Sequence, residues 1–280
     1  MSGAPHTEHG FVPHRIKWTE ETIRRFWDGA ASLPEYTGKY FSREAGDAVL
    51  AVFSAFVPLG GSVLDFGAGP GFFVEKLLAR GLSCAACDQS PGSVFEMNER
   101  FREWKGWRGA FIMRDNGLPF PAHQFDIAFC LETLEHVLPE KAAETIAELR
   151  RVLKNCGTLM VTVPGEEDPA GNIALCPECG CVFHRYQHVR SFSRQQLLCL
   201  MEECGFKTVF CDLLPLWSLK NEGFPPLAEL SVRRLGKQIL LAAAEAADRM
   251  NLRMVNPRRM LISMLRGRGD NLVWIGHKTG

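Results

Sequence analysis

No stretch of this 280-residue chain reaches the eighteen or more consecutive apolar residues of a membrane-spanning helix, so the sequence offers no candidate span. Its opening residues, MSGAPHTEHGFVPHR, lack the charged-then-apolar build of a secretory signal, and the expectation is a cytosolic protein. Net charge is missing too. Lys plus Arg and Asp plus Glu number 32 each, so no global field recruits nucleic acid or an anionic membrane, and a nucleic-acid partner is not expected. Local basic clusters, Arg233-Arg234 and Arg258 to Arg268, read as solvated helix faces. Hydrophobic residues at 46% and charged residues at 23% describe an ordinary globular composition. Of the ten cysteines, Cys84, Cys87, Cys130, Cys199 and Cys211 stand singly in apolar segments, where a thiol serves as a small buried group.

What the chain does have is VLDFGAGPG, Val63 to Gly71. An apolar run that ends in Asp and then places glycines at 67, 69 and 71 describes a strand meeting a ligand: glycine lets the backbone turn tightly and approach closely, and the following helix opens with unpaired N–H groups. Asp65 is left to bind a positive group. The dinucleotide fingerprint G-x-G-x-x-G does not fit, because the third glycine comes one position early and Phe72 stands where that fingerprint needs a small residue. Around this loop strands and helices alternate: strands 62–66, 82–87, 108–113, 125–130 and 157–163, and helices 71–80, 91–104 and 140–153. Such alternation implies parallel strands joined by right-handed crossovers, with ligands at the strands' C-terminal ends.

The G-x-G-x-G loop after an acidic strand end resembles the first motif of the class I S-adenosylmethionine-dependent methyltransferases. Other segments extend the resemblance in order: Leu82 to Asp88, Phe111 to Asp115, LPFPAHQFDIAFCLETLEHV (Leu118 to Val137), and LRRVLKNCGTLMVTVP (Leu149 to Pro164). It covers roughly residues 40 to 213 and again 270 to 277. The resemblance implies an α/β fold with a doubly wound, mostly parallel seven-stranded sheet, closed by an antiparallel pair at 206–213 and 271–276. It implies S-adenosylmethionine as cofactor, with Asp65, Gly67, Gly69 and Gly71 at the methionine end, Asp88 on the ribose and Asp115 at the adenine, and with Ala68, Gln89, Asn116 and Leu131 completing the set. Residues 1–15 read as a loose tail and 16–280 as one domain. Within that domain lie a Cys/His-rich insertion at 165–190 and a helical cap at 215–268. Tyr36 to Phe41 corresponds to a lid in related enzymes.

Acceptor chemistry is expected after the fourth strand, where Glu132, Glu135 and His136 stand at spacings i, i+3 and i+4 and share one side of a helical turn. A His beside two carboxylates suits a general base with a fixed tautomer, or a hard divalent-ion site; equally, Glu135 favours a helix start and His136 packs. This E-x-x-E-H resembles the ubiquinone-biosynthesis O-methyltransferases. It also resembles the small-RNA 3′-terminal 2′-O-methyltransferases, in which two carboxylates and two histidines hold magnesium; the second histidine would be His188. In CPECGCVFHRYQH, Cys176-x-x-Cys179 followed by glycine has the form of a zinc knuckle, with His184 and His188 as the closing ligands and Cys181 in reserve. Zinc there and magnesium at the first cluster compete for His188. Absent motifs exclude two acceptor classes: no Asn-Pro-Pro-Tyr or Asp-Pro-Pro-Tyr holds an exocyclic amine, and no Pro-Cys nucleophile follows the fourth strand. The expectation is O-methylation of a small molecule with His136 as base. A metal-dependent RNA ribose methyltransferase and a non-catalytic zinc-stapled scaffold are the alternatives.

Overall fold

The structure, a computed structural model, describes residues 11–113, 117–219, 259, 262, 266–267 and 269–280. Asp115 and Asn116 lie outside the described residues, as does nearly all of the 215–268 cap. Capping signals in the sequence operate as written. Thr19 accepts the amide of Thr22 to open α1 (Glu20–Ala31), and Ser90 with Pro91 at the first helical position opens α5 (Pro91–Phe101). Before α1 runs a two-residue strand, β1 (His14–Arg15); after it come the short α2 (Pro34–Thr37) and α3 (Phe41–Phe56).

The central unit then alternates as expected: β2 (Ser62–Phe66), α4 (Phe72–Leu78), β3 (Ser83–Asp88), α5, β4 (Trp107–Ile112), β5 (Phe125–Leu131), α6 (Ala142–Val152) and β6 (Leu153–Pro164). A hairpin of β7 (Ile173–Leu175) and β8 (Cys181–His184) follows, then α7 (Arg194–Glu203), β9 (Phe206–Leu214) and β10 (Asn271–Lys278). Seven strands form one sheet in the order β4-β3-β2-β5-β6-β10-β9, parallel from β4 to β6. β10 runs antiparallel to both β6 and β9. The antiparallel pair is therefore present, with β10 inserted between β6 and β9 so that β9 becomes the edge.

Alternate residues of each strand serve opposite faces, and helices cover both. Val63, Cys84, Ile127 and Phe129 pack with α3 and α4, while Leu64, Ala85, Ala128 and Leu159 pack with α6 and α7. The chain reverses direction across the sheet at β2, with β3 on one side and β5 on the other. The ligand crevice of such open sheets falls at that reversal, outside the carboxyl ends of β2 and β5.

A second, three-stranded sheet, β1-β8-β7, joins the start of the described chain to the Cys/His-rich insertion. His14 and Arg15, read from the sequence as part of a loose tail, are strand residues paired with Cys181 and Val182. Apolar alternation is too brief in two- and three-residue strands to announce them.

Candidate functional site

The loop between β2 and α4 is built around three glycines with positive φ: 72° at Gly67, 52° at Gly69 and 81° at Gly71. A Cβ at Gly67 would lie 2.4 Å from the Thr133 side chain and one at Gly69 2.7 Å from the Tyr40 ring, so both glycines are needed for conformation and for space. Gly71 differs: it packs under Met97 and Phe101 at the entry to α4, away from the cavity that the other two line. Asp88, at the end of β3, reaches back to this loop. One of its oxygens accepts the Gly69 amide and the other the Ser90 amide, each at 2.8 Å. Burial nonetheless raises its pKa, and those backbone hydrogen bonds offset only part of the rise.

Asp65 is 2% exposed and its Oδ2 has no hydrogen-bond partner. Burial, followed by the nearby charge of Asp88, lifts its carboxyl to about 8. Tyr40 stands over Gly69; burial and then Asp88 push its phenol well above the ordinary value.

A cavity of about 1450 Å³ runs from this loop to the residues after β5. Ala68, Gln89 and Leu131 line it, as do Tyr36 to Phe41 except Thr37. All three tyrosines of the chain, Tyr36, Tyr40 and Tyr186, are in its walls. At its far end the sequence trio divides. Glu132 sits at φ 44°, ahead of a short 3-10 turn (Leu134–His136) rather than on a common helix face, and its Oε1 accepts from Asn271 Nδ2 at 3.3 Å. Burial brings its carboxyl to about 7 against the lowering by Thr162 and Asn271. Glu135 is 1% exposed with both carboxylate oxygens unpartnered, and burial drives its pKa well up. His136 lies with Nε2 3.8 Å from Glu135 Oε1; burial, then His188, drops its pKa to about 3.

Three residues that carried no signal in the sequence hold this end together. Gln187, fully buried at φ 61°, donates from Nε2 to the His136 carbonyl at 3.2 Å and accepts from Trp27 Nε1 at 2.6 Å. The Trp27 ring meets His136 edge-on, with centroids 4.6 Å apart. Glu167 accepts a hydrogen bond from Nδ1 of His188.

The four expected zinc ligands are not brought together. Cys176 and Cys179 lie in the β7–β8 turn, where the Cys176 sulfur accepts the amides of Cys179 and Glu178. His184 pairs with Ile173 at the hairpin's other end. Among the described residues the ligand-spaced groups are Glu135–His136–His188 and Glu167–His184–His188, neither with a cysteine. A four-residue strand separates thiols from imidazoles, a length that spacing alone could not foresee.

A sheet whose parallel strands switch direction above a glycine loop, with Asp65 near the end of β2 and Asp88 at the end of β3, narrows the possibilities to few families. The family model described as a methyltransferase domain matches residues 37–209. The chain belongs to the methyltransferase domain family. No curated protein matches the methyltransferase. Solved structures share its fold at low identity. The 1,6-didemethyltoxoflavin-N1-methyltransferase of Burkholderia thailandensis, solved with 1,6-didemethyltoxoflavin and S-adenosylhomocysteine, is 18% identical at a TM-score of 0.59, covering 99% of this chain and 100% of that one. A Haloferax volcanii complex between the Trm112 methyltransferase activator and a methyltransferase gives 17% identity and 0.59, over 91% and 98%. The [4+2]-cyclase SpnF gives 17% and 0.56, over 93% and 96%, so the fold by itself does not name a reaction. Among the described residues no helix is long and apolar enough to cross a membrane.

Proposed function

We infer that this methyltransferase transfers a methyl group from S-adenosylmethionine to an oxygen of a small-molecule acceptor. The observation that carries the reading is the single cavity joining the glycine loop to the Glu132–His136 turn and His188. Its loop end fits the cofactor. The unpartnered, buried oxygen of Asp65 suits an ammonium group. Gly67 and Gly69 keep the backbone bare, and each Asp88 oxygen, having accepted one amide, retains a lone pair for a ribose hydroxyl. When bound, the cofactor supplies the methyl on a sulfonium.

At the other end the chain's own groups would orient the acceptor and take its proton. Among the described residues ten Asp or Glu and four Lys or Arg side chains line the cavity. Even with Asp65, Asp88, Glu132 and Glu135 held neutral by burial the acidic groups are the more numerous, which opposes a polyphosphate acceptor and favours a neutral or cationic one. Trp27, Tyr36 and Tyr186 give flat walls. His136, at about 3, is neutral and hence able to accept a proton, but it is a weak base; Glu132, at about 7, is matched to neutral pH. Proton removal is therefore assigned to this cluster with Glu132 as the stronger member. The spacing of Glu135, His136 and His188, together with the orphaned oxygens of Glu135, also suits a divalent ion that would acidify an acceptor hydroxyl.

The test is a panel of phenol, alcohol and amine acceptors assayed by S-adenosylhomocysteine release. Transfer to hydroxyls, with Glu132→Gln lowering kcat roughly 10²- to 10⁴-fold at little change in cofactor affinity, supports the reading. Transfer confined to amines removes the O-methylation claim. EDTA separates the two modes: proton acceptance tolerates it and a divalent ion does not. Tighter binding of NAD than of S-adenosylhomocysteine would sink the cofactor assignment itself.

A further inference from the structure

Two imidazoles and a carboxylate meet on the insertion that follows β6. Glu167 Oε2 accepts from Nδ1 of His188, while its Oε1 accepts from Asn172 Nδ2 at 3.2 Å and lies 3.5 Å from Nε2 of His184. The rings of His184 and His188 stack, with centroids 4.4 Å apart and planes at 23°. Spacing alone would suit a metal ion. Proton positions decide otherwise. The backbone N–H of His188 donates to Nδ1 of His184 at 3.2 Å, so neutral His184 carries its hydrogen on Nε2, the nitrogen next to Glu167. With the Glu167 carboxylate as acceptor, Nδ1 of His188 is likewise the donor, and in that arrangement neither nitrogen offers a lone pair to an ion.

What this arrangement sets is the position of a proton. A neutral imidazole has one N–H and one lone pair, and the group that binds the first determines where the second points. His188 lines the cavity, and its ring centroid lies 5.0 Å from that of His136. We propose that Glu167 is a positioning residue: it holds His188 in the Nδ1–H form, so that the Nε2 lone pair is kept for the cavity shared with Glu135 and His136. Glu167 is equipped for the task. Burial is the largest single influence and raises its pKa, but the hydrogen bond from His188, the neighbouring imidazoles and Asn172 together bring it below the ordinary value, and Asn172 pins its second oxygen. The Cys/His-rich insertion then contributes to the site through its base, where Glu167, His184 and His188 act as one unit. The inference rests on the proposed function only in its consequence, that this lone pair serves the acceptor; the proton position is read without one.

The experiment is long-range nitrogen–proton correlation NMR on the full chain labelled with ¹⁵N-histidine, at a pH where the imidazoles are neutral, with His188→Asn and His184→Asn assigning the signals. The wild type should show His188 as Nδ1–H and His184 in the opposite form, an internal reference in the same spectrum. Glu167→Leu should shift His188 to Nε2–H or a mixture, whereas Glu167→Gln, whose amide oxygen still accepts, should restore the Nδ1–H form. His188 found as Nε2–H in the wild type overturns the proposal even if the leucine variant fails to fold, and so does an unchanged tautomer in a folded Glu167→Leu protein. Wild-type titration with S-adenosylhomocysteine is run alongside: absence of binding would count against the proposed function and leave the tautomer result standing.

Discussion

Asp65 and Asp88 sit at the ends of neighbouring strands with different partners, and their environments lead to different tests. Asp88 has both oxygens held by backbone amides and lies where ribose hydroxyls would add charge-assisted hydrogen bonds. Asp88→Ala should weaken S-adenosylhomocysteine binding by about 1.5 to 3 kcal/mol, measured by titration calorimetry. Equal affinity would remove Asp88 from the site. Asp65, ordinarily at 3.8, is raised to about 8 by burial and then by Asp88. Between those values the folded state holds a proton that the unfolded chain has released, so the ligand-free protein should lose stability as pH rises from about 4 to 8. An ammonium beside Asp65 favours the carboxylate, and cofactor binding near pH 7 should therefore release a proton from this group. Calorimetry in buffers of different ionisation enthalpy reads that release, and Asp65→Asn should abolish it. The acidic strand end and the glycines were plain in the sequence. The orphaned oxygen was not, because it depends on what packs around β2.

At the scale of elements, α1 and the 165–190 insertion are joined through one buried side chain. Trp27 on α1 donates to Gln187, and Gln187 in turn donates to the carbonyl of His136. Trp27→Phe keeps the ring but leaves the buried Gln187 oxygen without a donor, at a cost of about 1 to 3 kcal/mol. Amide exchange in α1 should quicken while β2 and β5 stay protected; unchanged α1 exchange would make the contact incidental. The sequence shows α1 through Thr19 and its apolar face, yet gives no sign that it covers the cavity. Likewise C-x-x-C and H-x-x-x-H are legible as patterns. Their assignment to one zinc fails because the β8 strand carries the histidines to the far end of the hairpin.

For the whole molecule, stability resides in the sheet and the helices laid on it. Phe129 on β5 is fully buried, with ring centroids 4.9 Å from both Phe53 on α3 and Phe73 on α4. Phe129→Ala should cost about 3 to 5 kcal/mol, and thermal unfolding at roughly 2 to 4 °C per kcal/mol would detect it. A loss below about 1 kcal/mol would mean that the cavity collapses without penalty.

Sequence by itself determined the strand and helix alternation, the parallel sheet, the glycine loop and its two acidic strand ends, since each rests on local periodicity or on one residue's conformational limits. Tertiary structure alone decided the rest. It set β10 between β6 and β9, and it turned Glu132 toward Asn271 while leaving Glu135 beside His136. It also brought His188, with Glu167 bonded behind it, from a distant insertion to the end of the cavity. The strand order and the Glu132–Asn271 contact join segments far apart in the chain, and the energies of all these contacts depend on burial and proton position, which no spacing along a sequence encodes.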